Sequence, residues 1–132
     1  MRKEISSKKT QVMVNSIGFV KICVFSRLTY RKGVDFLYFL VPVIYKKYPN
    51  VKFYIYGDGN KQPLLNDLKN EFKMNDRVQI VKGFAKWENV PSILAEHDII
   101  LSSSLTESFC LLILEAIASG LYVISTGIFF IF

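Results

Sequence analysis

The sequence predicts an α/β fold in which a Rossmann-like parallel sheet is flanked by helices. Three observations predict it. Short runs rich in Val, Ile, Phe and Tyr alternate with segments of helical periodicity from residue 19 onward. The short runs are apolar at consecutive positions, as in strands covered on both faces. Gly, Pro and Asn separate the two kinds of segment. The composition agrees. The chain has 132 residues, 51% hydrophobic and 21% charged, enough apolar matter for one packed domain or part of a larger one and too much for disorder.

Each element has a local reason. Residues 1–18 are mostly polar and basic, a tail or linker with no apolar stretch of signal-peptide type. Residues 19–25, FVKICVF, make a buried strand, and 26–33 a polar connection. Val34, Leu37, Tyr38, Val41, Ile44, Tyr45 and Tyr48 fall at helical spacing, with Pro42 expected to kink that helix and Pro49-Asn50 to end it. VKFYIY, residues 51–56, is a second strand, and Gly57-Asp58-Gly59 is a turn. Pro63 suits the first turn of a helix running to about Lys73. RVQIV is a third strand, stopped at Gly83; a short helix over 88–96, a strand over 98–102 and a loop over 103–109 follow. The last elements are a helix over 110–119, closed by Gly120, and a strand over 121–125. Ala116 to Phe132 carries no charge and is close to the length of a membrane span. Gly120 and the strand formers after it divide this run into a helix end, a strand and an apolar tail over 127–132, so no span is expected.

Several chemistries are excluded early. One histidine and two cysteines leave no cluster for a metal or a relay, and Cys23 and Cys110 sit among apolar neighbours as reduced thiols. His97 is expected to be packed or half-exposed, without an orienting partner. Trp87 and the seven tyrosines are spread over core positions and read as packing rather than base stacking. Seventeen Lys and Arg against eleven Asp and Glu leave a net charge of +6, which favours anionic partners. The cations are scattered, with no run longer than the pairs Arg2-Lys3, Lys8-Lys9, Arg31-Lys32 and Lys46-Lys47, so nucleic acid is not the expected partner.

In a sheet of this kind ligands sit outside the carboxyl ends of the strands. The first such loop, Ser26 to Gly33, offers Arg27 and Lys32 beside a helix N-terminus, an arrangement suited to a diphosphate, although a basic surface turn would look the same. It contains no kinase-type phosphate loop. The loop SSLTESFC, residues 103–110, is rich in small hydroxyl residues and opens a helix whose amides could hold a phosphate. Glu115 follows on an otherwise apolar helix, where a carboxylate needs a partner; a ribose diol is a good one, and a lysine is the plain alternative.

Arg27, Lys32-Gly33, Gly57-Asp58-Gly59, and Glu107 followed after seven residues by Glu115 resemble the C-terminal domain of retaining GT-B glycosyltransferases, which use nucleotide-diphosphate sugars. The stretches SRLTYRKGVDFL, KKYPNVKFYIYGDGNKQPLL, DRVQIVKGF and SSLTESFCLLILEAIASGLYVIST are similar to the catalytic-subunit branch that serves glycosylphosphatidylinositol-anchor biosynthesis. Cys110 fits that branch, where most of the superfamily has glycine. The resemblance covers residues 19–126 and implies the C-terminal, donor-binding half of a GT-B fold, truncated. It implies transfer of N-acetylglucosamine from UDP-N-acetylglucosamine to phosphatidylinositol with retention. Arg27 and Lys32 would neutralise the diphosphate and assist its departure, and Glu107 would contact the donor sugar. The amides of Ser108, Phe109, Cys110 and Leu111 would hold phosphate, Glu115 would bind the ribose, and Gly83 and Phe84 would lie near the uracil. No metal or other cofactor is implied. The implied setting is the cytoplasmic face of the endoplasmic reticulum membrane, with other subunits of a transferase complex. A mannosyltransferase of the same class would share these residues, and a non-enzymatic basic binding module is the other alternative. The resemblance stops at Ser125-Thr126 and shows no acceptor-binding domain, so the expectation is a gene fragment or split reading frame without transferase activity alone.

Overall fold

The computed structural model describes residues 18–74, 76–81, 89–104 and 111–126. Its centre is a five-stranded sheet: β1 (Val20–Phe25), β2 (Val51–Tyr56), β3 (Val78–Val81), β4 (Ile99–Ser102) and β5 (Tyr122–Ser125). Every pairing is parallel, and the strand order is β3-β2-β1-β4-β5. A 3-10 turn (Tyr30–Lys32) leads into α1 (Val34–Lys47); α2 (Gln62–Glu71), α3 (Val90–Ala95) and α4 (Leu111–Ala118) complete the crossovers.

Alternation along β1 explains the layers. Ile22 and Val24 point to one face and pack with Phe53 and Ile55 of β2 against Val34, Leu37 and Val41 of α1 and Leu65 and Leu68 of α2. Cys23 and Phe25 point to the other face and pack with Ile100 against Val90 and Leu94 of α3 and Ala116 of α4. A central strand buried on both sides therefore has no polar alternation to show, which is why β1 reads as a continuous apolar run.

Element ends differ from expectation by one to two residues, with identifiable causes. Phe19 lies outside β1 and is half-exposed, with the Lys52 ammonium 4.2 Å from its ring centre. The fourth strand starts at Ile99, and Asp98 before it is tied to β1, its amide donating to the Lys21 carbonyl and its carboxylate accepting from the Lys21 amide, both at 2.9 Å. α2 ends at Glu71, short of Lys73, whose φ of 53° is left-handed. α1 runs through Pro42 without a break and stops at Lys47. Arg77 then ties the exit of α1 to the sheet: its guanidinium donates to the carbonyls of Tyr45, Tyr48 and Val51 at 2.9–3.1 Å and lies 3.6 Å from the Tyr45 ring centre. Such donors satisfy carbonyls that a helix end leaves open.

His97 is packed, as expected, but against expectation it has orienting partners. It is buried. Its Nδ1 lies 2.7 Å from the Ile93 carbonyl and its Nε2 3.1 Å from the Tyr56 hydroxyl, and Tyr54 meets its ring edge-on. With Nδ1–H donating to the carbonyl, Nε2 accepts from the tyrosine. Burial pushes the Tyr56 phenol up to about 12. Not all tyrosines pack as expected, since Tyr30, Tyr48 and Tyr122 are exposed. Trp87 lies outside the described residues.

Candidate functional site

The strand order reverses between β1 and β4, since the chain moves from β1 outward through β2 and β3 and returns to the other side at β4. Loops leaving two such strands diverge and open a crevice at their carboxyl ends. Here the described walls are the loop 26–33 after β1 and Ser103-Ser104 after β4.

The two walls are fastened together. Ser103 Oγ donates to the Lys32 carbonyl at 2.7 Å, across 71 positions of sequence. Gly33 has a left-handed φ of 75°, and an added Cβ would stand 1.8 Å from the Ser103 carbonyl oxygen. Only a glycine gives both the conformation and the approach. Thr126 Oγ1 donates to the Ser104 carbonyl at 2.7 Å, which fixes the end of β5 to the same wall. Ser103 and Ser104 are both buried. On the other side, the β2 turn supports the first loop: the Leu28 amide donates to the Asp58 carbonyl at 2.8 Å, and the Lys61 amide to the Leu28 carbonyl at 2.9 Å. Gly57 permits this, because an added Cβ would meet the Ser26 carbonyl at 1.8 Å. Asp58 thus takes part through its backbone, as its turn sequence suggests.

Arg27, on the first loop, is exposed, and Lys32, just before α1, is half-buried with its backbone carbonyl in the fastening bond. The positive end of a helix and two cations are therefore on one wall. Leu111 starts α4, and Glu115 stands on the second turn of that helix, beside the stripe of Ile113 and Ala116 that packs inward. One carboxylate oxygen of Glu115, Oε2, is buried with no hydrogen-bond partner among the described residues. A buried acceptor without a donor is destabilising, and a ligand hydroxyl, a water or a residue outside the described ones can supply the donor; Ser26 Oγ and Asp35 Oδ1 share this state. No lysine pairs with this oxygen among the described residues. Gly83, Phe84, Glu107, Ser108, Phe109 and Cys110 lie outside the described residues. Among the described residues no group of three His, Cys, Asp or Glu could hold a metal ion, and no helix is long and apolar enough to cross a membrane.

The fastening is the feature that sequence reasoning misses. Ser103 groups by sequence with phosphate-binding hydroxyls, yet its hydroxyl is committed to Lys32. No local signal marks it, because the two partners lie 71 positions apart.

The profile of the family "Glycosyl transferases group 1" matches residues 20–129. The chain belongs to that family. A group 1 glycosyl transferase half-domain is also what the solved structures resemble. The pneumococcal O-GlcNAc transferase GtfA, in complex with UDP and GlcNAc, superposes with a TM-score of 0.76 at 28% identity, over 88% of this chain and 22% of that one. The C-terminal domain of a group 1 glycosyl transferase, LpcC of Francisella tularensis, gives 0.71 at 24% identity over 89% of this chain and 63% of that one, a likeness of fold. The sheet is thus the Rossmann-like half of a GT-B fold. Among sequence relatives, a phosphatidylinositol N-acetylglucosaminyltransferase subunit of Arabidopsis thaliana is 42% identical over 86% of the chain. The Homo sapiens protein of the same name is 39% identical over 83%. The chain spans 25% and 22% of the lengths of these two relatives.

Proposed function

We propose that this chain is the donor-binding part of a transferase that moves N-acetylglucosamine from UDP-N-acetylglucosamine to phosphatidylinositol with retention, the first step of glycosylphosphatidylinositol-anchor assembly. The observation that carries the chemistry is the buried Glu115 Oε2, unpartnered among the described residues, on the helix that follows β4, with Arg27 and Lys32 on the loop that follows the neighbouring strand β1. The carboxylate accepts from the two ribose hydroxyls of UDP. Arg27 and Lys32 neutralise the diphosphate and stabilise it as it leaves. Glu107 contacts the sugar, the amides of Ser108 to Leu111 hold phosphate oxygens, and Gly83 and Phe84 border the uracil. The two cations do the work a metal ion does elsewhere. The donor sugar rests on the relatives: the two eukaryotic proteins and a pneumococcal one 34% identical over 73% of the chain are all named as N-acetylglucosaminyltransferases. This favours N-acetylglucosamine over mannose. The acceptor and a place beside other subunits are taken from the same names; the endoplasmic reticulum membrane is our extension of that reading.

A chimera tests this. Residues 19–126 are exchanged for the corresponding stretch of the human relative, and labelled N-acetylglucosamine transfer to phosphatidylinositol is measured in membranes from cells lacking that protein. Transfer from UDP-N-acetylglucosamine is expected, with a rate loss of about 10²–10³-fold for Arg27→Ala with Lys32→Ala. Transfer from a mannose donor, or an unchanged rate in the double variant, contradicts the proposal. The 132 residues alone are expected to bind UDP without transferring sugar.

A further inference from the structure

The exposed apolar side chains of α1 are a second feature that the donor crevice does not use. Successive helix residues are about 100° apart. Val34, Leu37 and Val41 point into the core, and the opposite face carries Phe36, Phe39 and Val43, with exposures of 47%, 71% and 61%. Lys46 and Lys47 continue that outward face at the C-terminal end, and Arg31 is exposed just before the helix. Tyr48, also exposed, lies under the Lys47 ammonium at 5.7 Å from its ring centre. Of the carboxylates at its margins, Asp35 is paired with Lys61 at 3.3 Å, and Glu71 and Asp76 accept from the hydroxyls of Tyr38 and Tyr45 at 2.8 and 2.6 Å. The face is therefore apolar in the middle with cations at its ends, and the carboxylates that flank it are engaged by Lys61, Tyr38 and Tyr45.

We infer that the outward face of α1 docks on an anionic lipid bilayer. Three protruding apolar side chains on one convex helix fall far short of the roughly 20–30 residues a side of a stable protein interface. They suit shallow insertion at the headgroup boundary, with lysine stems lying along the apolar region and ammonium groups in the phosphate layer. Charge separates this face from the other exposed apolar group, Leu111, Leu114 and Ile117 on α4, whose helix carries no basic residue in its last turn. Because α1 begins at Gly33, docking sets the donor crevice beside the lipid surface. The inference does not depend on which sugar is transferred.

Co-sedimentation of the full chain with vesicles tests it, comparing phosphatidylcholine alone with three parts phosphatidylcholine to one part phosphatidylserine. Binding is expected to be at least tenfold stronger on the anionic vesicles. Phe39→Ser with Val43→Ser lowers it by about tenfold or more on those vesicles. Lys46→Ala with Lys47→Ala lowers it by about 25-fold there and leaves binding to neutral vesicles unchanged. All four positions are exposed, so thermal melting stays at the parent value. Equal binding to both vesicles, or equal binding by parent and variants, overturns the inference. So does a parent chain that elutes as a dimer and becomes monomeric on Phe39→Ser, since the face would then hold a second copy.

Discussion

Glu115→Met is expected to weaken UDP binding at least a hundredfold and to raise the melting temperature of the chain. Both effects come from one atom. Hydrogen bonds to a charged group are worth about 1.5–3 kcal/mol each, and a ribose diol makes two of them with a carboxylate. Without ligand, Oε2 has no donor among the described residues, and an unsatisfied buried acceptor costs about 1–3 kcal/mol. Methionine keeps the unbranched stem and the helix propensity while removing the polar atoms. Relief of about 1 kcal/mol corresponds to a rise of about 3–5 °C in a domain of this size. Calorimetric titration with UDP and a melting curve check the two halves together. A variant that binds UDP like the parent removes the ribose role, and one that melts lower shows that Oε2 is satisfied within the chain. Residues shaped for a ligand commonly trade stability in this way.

Gly33→Val is expected to destabilise the fold by about 3 kcal/mol or more. A β-branched residue at a φ of 75° costs about 1–3 kcal/mol by itself. Its Cβ would also stand 1.8 Å from the Ser103 carbonyl oxygen, so the β1 and β4 walls would have to part and the Ser103 to Lys32 hydrogen bond would be lost. Melting lowered by about 10 °C is the expected reading. Gly33→Ala is the milder companion and separates conformation from bulk. If both variants melt within a degree or two of the parent, the walls are not held in this register.

The sheet is legible in the sequence because its causes are local. Apolar runs buried on both faces, helical spacing at Val34, Leu37 and Val41, and glycines between them need no distant information. The exit of α1 is less legible. Tyr48 fits the helical period yet lies outside the helix and exposed, since Pro49 follows it. The site is legible where one residue conflicts with its neighbours: a glutamate on an apolar helix announces a missing partner, and Glu115 Oε2 has none among the described residues. The contacts that shape the crevice are not legible, because they are pairings across long separations. Nothing around Ser103 shows that its hydroxyl will seek the Lys32 carbonyl, and nothing around His97 shows that Tyr56, 41 positions away, will reach its ring. Backbone approach at Gly33 is equally silent in sequence, where that glycine looks only like a helix start.

We propose that the crevice between β1 and β4 receives a nucleoside diphosphate. A titration of the isotope-labelled chain with UDP, followed by backbone amide NMR, tests it most directly. Shifts are expected to concentrate at Arg27, Lys32, Gly33, Ser103, Ser104 and Leu111 to Glu115, and to be absent from Glu115→Met at the same UDP concentration. Shifts centred instead on the opposite edge of the sheet, around Lys52, Lys69 and Arg77, would contradict it.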